Sequence, residues 1–453
     1  MECTLANAAK TMHGKLQGTS LAFRGVSTDT RTLQPGELFF ALQGPNFDGA
    51  AFIDAAATQQ AAGAVVPGPV DADIPVIVVD DTLHALGMLA AEWRQQMPAT
   101  VIAITGSNGK TTLKEMVASC LTLSARTLAT QGNLNNEIGV PLMLAKLGDE
   151  HRYAVIEIGA NHAGEIARLT ALVQPGIVAI TNAAPAHLEG FGSLEGVAKA
   201  KGEILTGEVP PQTAILNADD EYFSYWCSLV PDCEVISFGV SPQADYRASD
   251  VYATESGSVF TLHMPHGELQ VALPLFGAHN VLHACAAAAI VSSLDIDDQQ
   301  IRQGLEKVAP VSGRLQAVQS ASGHTLYDDS YNANPVSVVA AAKFLAAQPG
   351  ASWLVLGDMA ELGEDAIALH TSVGSELKNV GIDHLVATGD LCRHTVEAFG
   401  DNGHWFATQD ELIDMLHASL DGNSNVLVKG SRSMGMEHVV AALRNGSDRA
   451  GDV

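Results

Sequence analysis

The run Gly106-Ser107-Asn108-Gly109-Lys110-Thr111-Thr112 combines glycines, a lysine and two threonines at the spacing of a phosphate-binding turn. Glycines let backbone N–H groups converge on an anion, and a helix that starts there adds partial positive charge. In that role Lys110 reaches the terminal phosphates of a nucleotide and the Thr111 hydroxyl sits on Mg²⁺. The spacing departs from the common phosphate loop, in which a glycine stands where this chain has Ile104. Here the pattern is G-x-x-G-K-T-T. The competing reading is an ordinary Gly-rich turn in front of a lysine. The flanks favour nucleotide binding. Thr100-Val101-Ile102-Ala103 reads as a buried strand, and Leu113 to Ser124 carries apolar residues at helical spacing.

Other chemistry-bearing residues follow similar runs. Glu157 ends the apolar stretch Tyr153 to Ile156. Carboxyl ends of parallel strands face the ligand crevice, so an acid one strand after a phosphate loop suits a magnesium ligand. Its bland alternative is a solvated strand-end acid. His187 opens the Gly-rich segment His187 to Ser193, after Asn182, where a second metal site would fit. Lys199 and Lys201 lie two apart in a helical segment and cannot share one face. Spacing does not choose which of them points inward. Gly132-Asn133-Leu134-Asn135-Asn136 is an amide-rich loop suited to sugars, phosphates or peptides, or simply a left-handed turn.

Near the C-terminal third, Arg314 precedes a strand that leads into Asp328-Asp329-Ser330-Tyr331-Asn332-Ala333-Asn334-Pro335. An aspartate there could take ribose hydroxyls and the tyrosine could stack on a base. The same residues would also cap a helix beginning at Pro335. Lys429-Gly430-Ser431-Arg432-Ser433 offers two cations and a glycine to an anionic ligand, or forms a solvated loop.

Placing these groups takes several cores. A chain of 453 residues exceeds one core, and roughly three domains are expected. Residues 1–81 read as a small α/β unit with strands at Leu38–Leu42, Gly63–Val66 and Pro75–Val79. Residues 82–313 open with a helix (Leu83 to Gln96). Strand–helix alternation follows, with strands at Val101–Ile104, Ala154–Ile158, Val178–Thr181, Ala214–Leu216 and Val235–Phe238. That pattern predicts a parallel sheet covered on both faces. Asp245 to Leu275 alternates polar and apolar residues around Pro265-His266-Gly267, as an antiparallel insertion would. A helix of small residues, Asn280 to Ser293, comes next. Residues 314–453 repeat the doubly wound pattern, with strands at Thr325–Tyr327, Trp353–Leu356, His384–Ala387 and Asn425–Val428. The tail Asn445 to Val453 is expected to fray. The fold class is therefore α/β in three domains: a small N-terminal unit, a central parallel-sheet ATPase unit and a C-terminal Rossmann-like unit.

Composition excludes some classes. Lys+Arg number 24 against 51 Asp+Glu, a formal net charge of −27, which argues against a nucleic-acid partner. It leaves anionic small substrates open, because a local cationic pocket can hold them. Met1 to Asn7 has no basic region followed by an apolar core, so no signal peptide is expected and the cytoplasm is. Val281 to Leu294 is too short and interrupted to span a bilayer. Cys3, Cys120, Cys227, Cys233, Cys285 and Cys392 are scattered, with no metal-ligand spacing, and read as small apolar residues.

The strings Thr130 to Pro141, Glu157 to Glu165, His187 to Ile204, Asp328 to Pro335, Leu356 to Gly363 and Val428 to Met436 extend over nearly the whole chain. With the phosphate loop they resemble the Mur ligases, ATP-dependent amide-forming enzymes of bacterial cell-wall synthesis. The T-G-x-x-G-K-T-T loop is shared across that family and with folylpolyglutamate synthetases. The strings look most like the branch that adds D-alanyl-D-alanine to UDP-N-acetylmuramoyl-tripeptide.

The resemblance implies ATP-driven activation of a peptide carboxylate, then attack by an amine. It implies Lys110, His187 and Lys201 as catalytic. Thr111, Glu157, His187 and Lys201 would serve the metals, with a carbamate on Lys201 rather than Lys199. Nucleotide would be held by Gly106 to Thr112 together with Asn280, Arg314, Asp329 and Tyr331. The N-terminal unit would take the uridine end of the substrate through Ser27, Thr28, Asp29, Thr30 and Arg31, with Asn133, Asn135 and Asn136. Asn332, Asn334, Lys429, Ser431 and Arg432 would line the site for the dipeptide and the acyl-phosphate. Many relatives carry a histidine where Ala50 stands, so Ala50 is not counted as a site residue. A monomer is expected, with closure of the C-terminal domain completing the site. A nucleotide-dependent switch without ligase activity is the competing class, and Lys110, Glu157, His187 and Lys201 speak against it.

Overall fold

Residues 1–44, 47–321 and 323–446 are described by the structure, a computed structural model. The predicted frayed tail falls mostly on residues 447–453, outside the described residues.

Among the described residues, three large sheets carry the fold, with two two-stranded ribbons in the N-terminal unit, Glu2–Thr4 with Ala22–Arg24 and Gln43–Gly44 with Phe47–Asp48. The N-terminal one has five strands, in the order Lys15–Gln17, Val76–Val78, Gly63–Val66, Leu38–Phe40, Val26–Ser27. Only its first pair is antiparallel. The central sheet has nine, in the order Thr127–Ala129, Tyr153–Glu157, Thr100–Thr105, Ile177–Ile180, Thr213–Asn217, Glu234–Gly239, Tyr246–Thr254, Gly257–Met264, Gly267–Leu273. Its first seven strands run parallel, and the last two fold back as the expected antiparallel insertion. Met264 pairs with Gly267, so Pro265 and His266 form a two-residue turn. The C-terminal sheet has six: Gln316–Gln319, Thr325–Asp329, Ser424–Lys429, Ala351–Gly357, His384–Thr388, Gly403–Phe406. The first pair is antiparallel and the rest parallel.

Side-chain alternation explains the central unit. Ile102, Ile104, Val155, Ala179 and Ile215 point to one face, into a core with the helices Lys110–Thr122 and Ala278–Ser292. Val101, Ala103, Ala154, Ile156, Val178, Ile180, Ala214 and Leu216 point to the other, against Glu165–Val173 and Leu194–Gly202. Strands buried on both faces read as continuous apolar runs, which is why they were visible in the sequence. The helix Ala278–Ser292 buries alanines, Cys285, Ile290 and Val291. Its small residues let it lie close to Lys110–Thr122.

Local outcomes also differ from the pattern reading, among them the unpredicted strands Lys15–Gln17, Val26–Ser27, Gln316–Gln319 and Gly403–Phe406. The helix after the phosphate loop starts at Lys110, not Leu113, because Gly109 turns left-handed (φ 81°) just before it. The edge strand Thr127–Ala129 was not predicted, since three residues carry no periodicity. Thr82–Gln96, capped by Asp81, gives Leu86 and Leu89 to the N-terminal core and Ala90 to the central one. It is a shared strut between the two units. Among the described residues, no helix is long and apolar enough to cross a membrane.

Candidate active site

The carboxyl ends of the central strands meet the C-terminal unit around a cavity of about 450 Å³. That is the size of a small-molecule site. The phosphate loop forms its floor. A Cβ at Gly106 (φ 143°) would lie 1.8 Å from Thr181 Oγ1, and one at Gly109 would lie 2.0 Å from His283 Nε2. No side chain fits either place. The loop is pinned from the next strand: Thr181 Oγ1 donates to Asn108 O at 2.6 Å, and Asn108 N donates to Asn182 Oδ1 at 3.0 Å. Lys110 Nζ folds back to Gly106 O (2.7 Å) and Ser107 O (3.3 Å). Burial lowers its pKa, Glu157 opposes that, and Arg314 adds to it. Beneath the loop, burial, His279 and Arg314 hold His283 down at about 3, so it stays neutral.

Glu157 is buried beside the loop. Its Oε1 accepts from Asn135 Nδ2 at 2.7 Å, while its Oε2 is buried without a hydrogen-bond partner. A buried carboxylate oxygen in that state is costly unless a cation takes it. That observation fits a metal ligand. His187 sits in a left-handed conformation (φ 55°) at the start of Leu188–Phe191, and the Glu361 carboxylate of the C-terminal unit lies against its Nδ1. Burial pushes the His187 pKa down; Glu361 opposes this, and Lys110 and Lys201 reinforce it.

The structure separates the two lysines that spacing could not. Lys199 is exposed and pairs with Glu195 at 2.6 Å. Lys201 is buried, 5.2 Å from the centre of the Phe191 ring. Burial, then the charge of Lys110, lowers its pKa to about 7.

Residues from the C-terminal unit form the opposite wall. Arg314 donates from Nη2 to Thr111 Oγ1 at 3.0 Å and lies 4.3 Å from the Tyr331 ring centre. Its Nε is buried without a partner, a donor left for an anion. Asp329 accepts from Lys429 Nζ (2.7 Å) and Leu315 N (3.1 Å), and Lys429 also donates to Asn332 O (2.8 Å). Asn334 caps Pro335–Ala346 with Pro335 in its first turn, and its Nδ2 reaches Asn108 Oδ1 at 2.7 Å. The segment thus caps its helix, as the spacing allowed, while Asn334 also reaches the phosphate loop.

Not every expected residue is in the cavity. Asn280 is on its wall, but its Nδ2 donates to Phe276 O at 2.7 Å and its Oδ1 faces His283. Ser431 is buried and accepts from Ala360 N at 2.7 Å, which makes it a brace for the neighbouring loop. Arg432 is 5.9 Å from the Tyr331 ring and pairs with Glu437. Gly106 and Lys201 are not among the residues that line the cavity. Ser27 to Arg31 form a separate turn of the N-terminal unit, where Arg31 grips Asp29 and holds its carboxyl down at about 2. Thr28 and Thr30 belong to the same turn. Asn133, Asn135 and Asn136 all line the cavity, Asn136 also accepting from Gly139 N at 2.9 Å.

Sequence reasoning missed Glu361, His279 and His283, whose roles depend on long-range contacts. Among the described residues, a further cluster of metal-ligating types, Asp358, His370 and Cys392, is spent on backbone. Asp358 accepts from Cys392 N (2.8 Å), and His370 Nε2 accepts from Met359 N (3.1 Å).

Comparison with known proteins finds matches to all three units. Residues 22–94 match the Mur ligase family catalytic domain, 104–291 the Mur ligase middle domain and 313–432 the Mur ligase glutamate ligase domain. The chain is 46% identical to the UDP-N-acetylmuramoyl-tripeptide–D-alanyl-D-alanine ligase of Escherichia coli (strain K12), covering 97% of this chain and 98% of that one. A crystal structure of MurF from Acinetobacter baumannii superposes with a TM-score of 0.92 at 37% identity, covering 98% of this chain and 99% of that one. MurF from Thermotoga maritima, solved in complex with ADP, shares the fold at a TM-score of 0.81 and 24% identity, over 93% and 97% of the two chains. Across all three units, this chain belongs to the Mur ligase family.

Proposed function

We propose that this ligase joins D-alanyl-D-alanine to UDP-N-acetylmuramoyl-tripeptide with ATP, through an acyl-phosphate of the peptide carboxylate. One observation carries the reading. A single cavity gathers the phosphate loop, Glu157 with a free oxygen, His187, and Arg314, Asp329 and Lys429 of the C-terminal unit. The near full-length likeness to a ligase of that name supports the same substrates.

A carboxylate is a poor acyl donor because it is anionic and lacks a leaving group. Phosphoryl transfer from ATP supplies one, and the protein's task is to hold several anions in line. The loop N–H groups take the β- and γ-phosphates, and Lys110 turns from its carbonyl partners to the terminal oxygens. Thr111 and Glu157 would hold one Mg²⁺, and His187 with carbamoyl-Lys201 a second. Bound there, the cations would neutralise charge developing on the transferred group. Arg314 offers its free Nε to the phosphates, and Tyr331 and Asp329 stand where a base and a ribose would lie. Asn332, Asn334, Lys429, Ser431 and Arg432 form or brace the dipeptide side, and the amine attacks the acyl-phosphate there. The uridine end is assigned to Ser27 to Arg31 with Asn133 and Asn136. The same reading places the enzyme in the cytoplasm, as a monomer.

Phosphate release from ATP is expected to require both the UDP-linked tripeptide and D-alanyl-D-alanine, with lysine and diaminopimelate tripeptides tried in parallel. Rapid release with neither substrate would point to a nucleotide switch instead. Closure is tested separately. Small-angle scattering should show a smaller radius of gyration with nucleotide and tripeptide bound, because cavity groups come from two units. An unchanged radius would count against it.

A further inference from the structure

We infer that Asn135 is a positioning residue for Glu157, turning one carboxylate oxygen aside so that the other faces the cation, and is not a contact for the UDP-linked substrate. The inference rests on the proposed metal role of Glu157.

The three asparagines of one loop do different work. Asn133 and Asn136 are exposed, whereas Asn135 is half-buried. Its Nδ2 is committed to Glu157 Oε1 at 2.7 Å. Its backbone is held as well: Asn135 N donates to Asn133 O at 2.8 Å, and Gly159 N donates to Asn135 O at 2.8 Å. A Cβ at Gly159 would approach Asn135 Cγ to 3.1 Å, so the amide is seated against bare backbone. Glu157 is fixed from its other end too. Its N–H donates to Thr130 Oγ1 at 2.9 Å, and buried Lys114 Nζ donates to Thr130 O at 2.8 Å. These bonds leave the carboxylate with one satisfied oxygen and one bare one. Outer partners of this type set the direction of a ligand's lone pairs.

The experiment is Mn²⁺ titration of the whole protein with ADP present, read by electron paramagnetic resonance, on wild type, Asn135→Leu and Glu157→Gln. Leucine keeps the volume and removes the donor. Mn²⁺ binding should weaken about 10–100-fold in Asn135→Leu. Calorimetric affinity for the UDP-linked tripeptide, measured without metal, should stay within about twofold. Should the leucine variant fail to fold, Asn135→Ala carries the same expectation. Unchanged Mn²⁺ binding in the Asn135 variant, with Glu157→Gln weakened, overturns the inference. So does loss of tripeptide affinity with Mn²⁺ binding intact. Unchanged binding in Glu157→Gln removes the metal role of Glu157 itself, and the inference falls with it.

Discussion

Lys110→Met is expected to lower kcat for ligation by about 10³–10⁴-fold while the protein stays folded. Methionine matches the lysine stem, so the loop loses the cation and little packing. The amine is held in place by two loop carbonyls, at 2.7 and 3.3 Å, and these can be exchanged for phosphate oxygens. The site is buried, where each charge contact counts for more than it would in water. The backbone N–H groups of the loop survive the substitution. KM for ATP should therefore rise far less than kcat falls, since the lost contact is strongest when charge builds on the transferred group. Steady-state phosphate release with both substrates measures the split. A kcat within tenfold of wild type would remove Lys110 from the chemistry.

The second large effect concerns Lys201. Lys201→Met should cut ligation by about 10²–10³-fold if a carbamate forms there, and it should also stabilise the protein. A carbamate forms only on a neutral amine, and the folded pKa of Lys201 is about 7. At pH 8 most of the amine is neutral, and at pH 6 about one tenth is. Bicarbonate added to CO₂-free wild type should therefore raise activity at pH 8 and much less at pH 6, with no response in the variant.

The stability sign follows from the same shift. The lysine's pKa falls from 10.5 unfolded to about 7 folded. The unfolded chain thus binds more protons between those values, and wild-type stability rises with pH across that window. Burying the charged amine costs on the order of 5 kcal/mol below pH 7, and the cost fades toward pH 10.5. In CO₂-free buffer the Tm gain of Lys201→Met should be largest at pH 6 and shrink at pH 9. Full activity in the variant, or a Tm gain that grows with pH, would refute the assignment.

How far the sequence reached depended on whether an interaction was local. The runs Val101–Ile104 and Gly63–Val66 declared themselves because strands buried on both faces need unbroken apolar side chains. The phosphate loop declared itself because glycine and lysine spacing is a local requirement. The division of labour among Asn133, Asn135 and Asn136 was illegible, since three identical side chains in one loop differ only by what lies across the fold. Lys201 was singled out from Lys199 by resemblance, and burial against Phe191 gives the physical reason. Asn280 and Ser431 were expected to meet ligand; their side chains are bonded to Phe276 and Ala360, and Asn280 also lines the cavity, contacts that local spacing does not reveal. Nothing local in Glu361 or His283 hinted at His187 or Gly109, because those pairings cross long stretches of chain.

Among the described residues, three side-chain contacts join the C-terminal unit to the central one around the cavity: Arg314 to Thr111, Asn334 to Asn108, and Glu361 to His187. Each lands on a residue that also faces nucleotide or metal in the proposed mechanism. Occupancy of the floor and position of the wall are then linked quantities, and linkage is reciprocal. Whatever factor the nucleotide contributes to dipeptide affinity, the dipeptide must return to the nucleotide. If the proposed closure holds, ATP would be both phosphoryl donor and effector, and a ligand that wedges Asn334 away from Asn108 would loosen both substrates by a shared coupling free energy.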